Sequence, residues 1–189
     1  MMSELSQPIE IAENVYWVGH YIPDDPFQCH AYLINNGEES VLIDPGSMVV
    51  FPIVLEKIQK VTSLKNIKYI IFHHQDPDIT GCLPILQEIL PPGERYIVTH
   101  WRTETLVKHL RPRIPFYLVD EHNWELEAGE RTLEFIFTPY AHFPGAICTY
   151  DPQTIVICTI PYNNPSRPGI FLSTTWHNLY SWKTRPKHL

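Results

Sequence analysis

The chain has 189 residues, a formal net charge of −7, 44% hydrophobic residues and 19% charged residues. That length suits one domain with a sizeable core, and the composition excludes a disordered chain. The acidic balance argues against nucleic acid as a partner, and no apolar run approaches the roughly 18 residues that a membrane helix needs.

The N-terminus, MMSELSQPIEIAEN, has neither a basic start nor an apolar stretch. No signal peptide is expected, and the cytoplasm is the expected location. Cys29, Cys82, Cys148 and Cys158 are scattered without a CxxC pair, which fits reduced thiols.

Residues 14–19 (NVYWVG) read as a strand, as do 31–36 (AYLINN) and 40–44 (SVLID). The last two are joined by a turn at Gly37 that suggests a hairpin. DPGS at 44–47 is a turn signal. Residues 49–62 space Val50, Ile53, Val54, Ile58 and Val61 as on one face of a helix, with Pro52 in its first turn. IKYIIF (67–72) is an unbroken apolar run, the pattern of a strand covered on both faces. A helix is expected from a Thr80 cap to Leu90. RYIVT (95–99) reads as a strand and 101–110 as a weak helix. FYLV (116–119), RTLEFIFT (131–138), AICTY (146–150) and TIVICT (154–159) are further strands, the last two a hairpin around Asp151-Pro152. Alternating strands and helices with antiparallel hairpins at both ends imply an α/β domain with a mixed sheet or two packed sheets.

The apolar run at 67–72 ends in HHQDPDITG. Loops at the carboxyl ends of α/β strands are where sites gather. His74, Asp76 and Asp78 alternate there, so an extended turn can point all three to one side and converge them on a cation. Imidazole with carboxylate and little thiolate favours iron or manganese over a structural zinc site. The competing reading is a solvated loop whose aspartates cap turns. His142, between Pro139 and Pro144 in a second turn, is a further candidate ligand.

LIDPGS (42–47), FHHQDPDITG (72–81) and TPYAHFPGAICTYDP (138–152), in that order, resemble the metallo-β-lactamase fold. The likeness spans roughly residues 8–159 and is closest to the di-iron branch, the flavodiiron proteins and related oxygen-binding di-iron proteins. The superfamily signature is H-x-[H/E]-x-D-H followed by a distant His, an Asp and a final His. The di-iron branch carries a carboxylate at the third position, as Asp76 does here. The resemblance implies an αββα sandwich with metals at the sheet edges. His74, Asp76 and His142 would bind one metal, Asp78 would bind the other, and Asp44 would support them or cap its turn. It also implies two irons, with zinc or manganese as alternatives, and O2 or another small molecule as the ligand. Tyr21, Phe27, Trp101, Tyr140 and Phe143 are candidates to line the pocket. A homodimer is the expected assembly by analogy.

The sequence departs from the family in three places. Ile79 stands where many members carry His. VICTIPYNNPS places Ile160 or Pro161 where a metal-bridging Asp is expected, and His177 and His188 lack the motif of the final His. Composition breaks at the same point: all 21 acidic residues precede Ile160, and the last thirty carry Arg167, Lys183, Arg185, Lys187 and no acid. The expectation is a family domain over 1–159 and a divergent tail over 160–189, from truncation or a frameshift. The tail leaves TIVICT an unpaired strand edge and weakens the second metal position. With no flavodoxin-like segment following, the shorter oxygen-binding relatives are the expected kin. The function implied is binding, sensing or reduction of O2. The alternatives are a metallo-hydrolase using metal-bound hydroxide and a non-catalytic remnant of the fold.

Overall fold

IKYIIF is buried on both faces because it lies at the centre of a sheet with a layer on each side. The computed structural model describes residues 4–25, 28–158 and 170–172. Seven strands form the first sheet in chain order: β1 (Ile9–Ala12), β2 (Val15–Trp17), β3 (Tyr32–Ile34), β4 (Ser40–Ile43), β5 (Ile67–Ile71), β6 (Tyr96–Thr99) and β7 (Phe116–Leu118). β1 to β4 pair antiparallel, and β4 to β7 pair parallel. The parallel crossovers carry α1 (Phe51–Val61), α2 (Pro77–Thr80), α3 (Leu83–Ile89) and α4 (Trp101–Val107). The second sheet is antiparallel: β8 (Glu125–Ala128), β9 (Arg131–Phe137), β10 (Ile147–Asp151), β11 (Val156–Cys158) and β12 (Ile170–Leu172).

Side-chain parity sorts the core into two layers. Leu33, Leu42, Ile70 and Ile97 face Phe51, Val54 and Ile58 of α1 and Leu83 and Leu86 of α3. Their strand neighbours Tyr32, Ile34, Val41, Ile43, Ile71 and Val98 face Leu126, Leu133, Phe135 and Ile147 of the second sheet. Period-two alternation in a doubly covered strand makes both sets apolar. The described residues thus form helix, sheet and sheet layers of the expected sandwich.

Several elements differ from the expectation. The helix from Thr80 to Leu90 is two short helices, α2 and α3, broken at Gly81-Cys82. Each carries Pro in its first turn, and a Pro begins a helix more readily than it continues one. Thr80 caps neither; its hydroxyl donates to the carbonyls of Gln75 and Asp76. β1 and β8 are additional strands. The edge of β11 is covered, since Val156, Ile157 and Cys158 pair with Leu172, Phe171 and Ile170 of β12. The apolar triplet Ile170–Leu172 suits such a ladder. Ile160, Pro161, His177 and His188 lie outside the described residues.

Two buried cations hold the layers. Arg131 pairs with Asp151 across β9 and β10 and donates to the Glu13 carbonyl between β1 and β2 at 2.8 Å. Asp151 also accepts from the Thr154 hydroxyl at 2.6 Å and the Gln153 N–H at 3.0 Å, which closes the β10–β11 turn. Lys57 of α1 is fully buried. Its Nζ donates to the carbonyls of Leu5 and Gly19 and lies 4.1 Å from the centre of the Trp17 ring. Among the described residues, no helix is long and apolar enough to cross a membrane.

Two outcomes are expected. Arg131→Ala leaves Asp151 charged and unpaired in the interior, so chemical denaturation should show a loss of about 3–5 kcal/mol. Burial, with help from the Lys60 charge, pushes the Lys57 ammonium down to about 8. A solvated lysine titrates near 10.4, so between pH ~8 and ~10.4 the unfolded chain holds a proton that the folded chain has released. Stability therefore gains a rising component with pH in that window, and Lys57→Met should remove it.

Candidate metal centre

β4 and β5 run parallel, so their carboxyl ends lie side by side. β4 runs out into Asp44, and β5 runs through Phe72 into His73. Asp44 Oδ1 accepts the backbone N–H of His73 at 3.0 Å, and Asp44 Oδ2 lies 2.6 Å from His73 Nδ1. On the other side of the ring, His73 Nε2 lies 2.8 Å from the Thr149 hydroxyl of β10. The Ile147 N–H donates to the His73 carbonyl at 3.1 Å. Nδ1 touches the carboxylate without an aligned hydrogen bond, so Asp44 holds His73 through its backbone N–H, while the Thr149 hydroxyl meets the far ring nitrogen. Asp44, His73 and Thr149 are all buried and join the two sheets at this end.

Asp44 has a left-handed backbone, φ 47°, which a short polar side chain tolerates. Gly46 follows at φ 100°. A Cβ there would lie 2.5 Å from Val50 Cγ2, so only glycine fits. Its N–H donates to the Ile79 carbonyl at 3.2 Å, and its carbonyl accepts from Cys82 at 3.1 Å. The DPGS turn thus holds the loop that carries His74, Asp76 and Asp78.

His74 is 1% exposed and its Nδ1 has no protein partner. Its Nε2 lies 3.6 Å from Asp76 Oδ2 and 3.6 Å from Asp78 Oδ1, too far for hydrogen bonds. Asp76 Oδ2 lies 2.9 Å from His142 Nε2. The His74 and His142 rings meet edge to face with centres 4.7 Å apart. One ligand atom from each of His74, Asp76 and His142 falls within 4.8 Å of the others. Donors that share an ion at about 2.0–2.2 Å are themselves about 3.0–3.5 Å apart; the two spacings to Asp76, 3.6 and 2.9 Å, lie close to that range and make the three residues a candidate cation site.

His142 comes from the second sheet, in the loop between β9 and β10. Hydrogen bonds from Thr138 to Ala146, Tyr140 to Phe143 and Ala141 to Thr138 fold that loop into stacked tight turns. Tyr140 and His142 take positive φ, 62° and 80°. Strain of this kind persists where the surrounding structure over-determines it. Here Arg102 and Thr103 of α4 clamp the loop through the carbonyls of Pro144 and Gly145.

The electrostatics are mutual. Burial lowers the His74 imidazole, but the Asp78, Asp44 and Asp76 carboxylates outweigh it, and its proton affinity is raised. Burial raises Asp78, and the His74 imidazole and Cys29 thiol more than reverse this, leaving it below the usual carboxylate range.

The four sequence-derived candidates therefore lie together: His74, Asp76 and His142 as one set and Asp78 beside them. Ile79 is fully buried and offers nothing to the site. Of the candidate aromatics, Phe143 is half-buried, whereas Tyr21 and Trp101 stand partly in solvent and Tyr140 is 78% exposed. Phe27 lies outside the described residues. Sequence reasoning passed over His73 and Cys29. His73 was legible from parity, since Tyr69, Ile71 and His73 share the face that meets the second sheet.

A family model described as ODP family beta lactamase matches residues 27–159. The chain belongs to that ODP family. Among curated relatives, the "Nitric oxide reductase" of Moorella thermoacetica is 27% identical over 169 residues, covering 81% of this chain and 41% of that protein. The flavodiiron protein from Giardia intestinalis superposes with a TM-score of 0.67 at 25% identity, covering 78% of this chain and 38% of that one. The MIM-2 metallo-beta-lactamase superposes with a TM-score of 0.66 at 20% identity over 80% of this chain and 58% of that one, which establishes the fold alone. This ODP-family chain spans about two fifths of the length of the Moorella and Giardia proteins.

His73 and His142 should separate cleanly by mutation. His73→Ala strands the buried Asp44 carboxylate and should cost about 3 kcal/mol or more in denaturant titrations. His142→Ala, half-exposed, should change stability by no more than about 0.5 kcal/mol. It should weaken binding of a divalent transition metal, read by isothermal titration, at least roughly 10–100-fold.

Proposed function

We propose that this chain provides a non-haem di-iron centre that binds and reduces a small diatomic molecule, O2 or NO. The observation that carries the proposal is the convergence of two imidazoles and a carboxylate, with a second carboxylate adjacent, in a chain of the ODP family. The name of the Moorella relative, nitric oxide reductase, points to NO, and the resemblance of the motifs to oxygen-binding di-iron proteins points to O2.

His74, Asp76 and His142 would hold one iron, and Asp78 would contribute to the other. Ferrous iron held there would supply the electrons for reducing the diatomic ligand, with an external reductant needed to restore them. The protein's own part is placement and protonation. His74 is fixed by burial, so its donor atom has one direction available. Asp76 lies between the two imidazoles, where its negative charge offsets that of a cation. His142 is half-exposed, and its side of the cluster is where a small molecule can enter. Both imidazoles bind metal only when the ligating nitrogen is deprotonated. The raised proton affinity of His74 means that protons displace metal at a higher pH than an isolated imidazole would allow.

The test is anaerobic loading with ferrous iron, desalting, and metal analysis with visible spectroscopy, first without oxidant and then with O2 or NO. The expected result is one to two irons per chain and an iron-dependent absorption that changes on exposure, both lost in His74→Ala. A folded chain that retains no iron would overturn the reading. Iron retention should also fall as pH is lowered through the imidazole range.

A further inference from the structure

Cys29 lies in the connection between β2 and β3, far in sequence from the ligand loop. Its Sγ nevertheless lies 3.4 Å from Asp78 Oδ2. The residues beside it are fixed. The Gln28 amide donates to the carbonyls of Ile22 and Asp25 at 2.8 and 2.7 Å and accepts the Ile22 N–H at 3.0 Å. His30 accepts the Trp17 indole N–H at 3.1 Å. The thiol is thus delivered to Asp78 by an anchored segment.

Asp78 faces two ways. Oδ1 lies 3.6 Å from the buried His74 Nε2, a nitrogen with no hydrogen bond to either neighbouring carboxylate. Oδ2 lies against Cys29. The donor atoms continue from His142 through Asp76 and His74 to Asp78 and end at Cys29. A sulfur and an oxygen bound to one ion at about 2.3 and 2.1 Å sit about 3.6 Å apart at the tetrahedral angle. The observed 3.4 Å is close to that spacing. The position beside Asp78 in the loop, where the resemblance expects a histidine, is the buried Ile79.

We infer that Cys29 supplies a thiolate ligand to the second metal position, beside Asp78. This rests on the two-metal reading above. Binding forms a sulfur–metal bond and breaks the S–H bond, and the proton leaves to solvent. Without a cation, burial and the Asp78 carboxylate favour the protonated thiol; a bound cation reverses that preference. A carboxylate–thiolate pair selects iron, cobalt or zinc over manganese, which prefers oxygen donors. Among the described residues, Cys82 and Cys148 are buried elsewhere in the core and do not compete for this role.

The probe is Co²⁺, titrated anaerobically into the reduced full chain and followed by absorption in the near-ultraviolet, where thiolate-to-cobalt charge transfer appears. Two equivalents should bind, with the thiolate band growing as the second is taken up. Cys29→Ser should abolish the band, leave the first equivalent in place and weaken the second at least roughly 10–100-fold. Cys29→Asp should restore the second equivalent without the band. Uptake of Co²⁺ with no thiolate band, or with a band that survives in Cys29→Ser, would overturn the inference and leave the metal reading standing. Loss of all Co²⁺ binding from the folded wild-type chain would overturn both. His74→Ala marks the first position, because it should remove the first equivalent.

Discussion

The contact on which the site depends is the Asp44–His73–Thr149 clasp. It ties the carboxyl ends of two neighbouring parallel strands to each other and ties both to the second sheet. All three groups are buried, so each must find its partner within the protein or cost several kcal/mol. That requirement sets where β5 ends relative to β10. His74, the next residue, inherits its position from the clasp.

The candidate ligand set combines two kinds of support. His74 lies under the sheet edge and has almost no exposed surface. His142 is half in solvent, on a loop whose turns require left-handed backbone at two non-glycine residues. Stacked hydrogen bonds and the α4 side chains Arg102 and Thr103 hold that loop. One side of the site is therefore fixed by packing, and the other by polar contacts that water can reach. Access for a small molecule and mobility of a ligand fall on the same side.

Much of this was legible beforehand. β5 announces itself as an apolar run, and the candidate ligands after it stand out by residue type, although the first turn of α2, and not extended alternation, brings Asp78 to His74. The harder features have identifiable reasons. β1 and β8 are only four residues long and interleave exposed glutamate with apolar residues, as in the alternation of Glu125, Leu126, Glu127 and Ala128. The break between α2 and α3 depends on two prolines, each of which suits a first turn. His73 looked like one half of a histidine pair, and its role needed knowledge of the sheet above it. Cys29 sits in a loop without periodicity, and its relation to Asp78 is purely tertiary. Asp44 was legible as important, but its partner was not.

The division of the candidate ligands between the sheets has a consequence beyond chemistry. His74, Asp76 and Asp78 belong to the first sheet, and His142 belongs to the second. A cation held between them would act as a rivet across the sandwich, and its binding energy would be drawn from the same reservoir as the docking of the layers. By thermodynamic linkage, such an ion adds RT ln(1 + [L]/Kd) to the stability of the native state, about 2.7 kcal/mol at a hundredfold excess over Kd. The metal supply of the surroundings would then govern how tightly the two halves of the molecule are joined, as well as whether the centre can react.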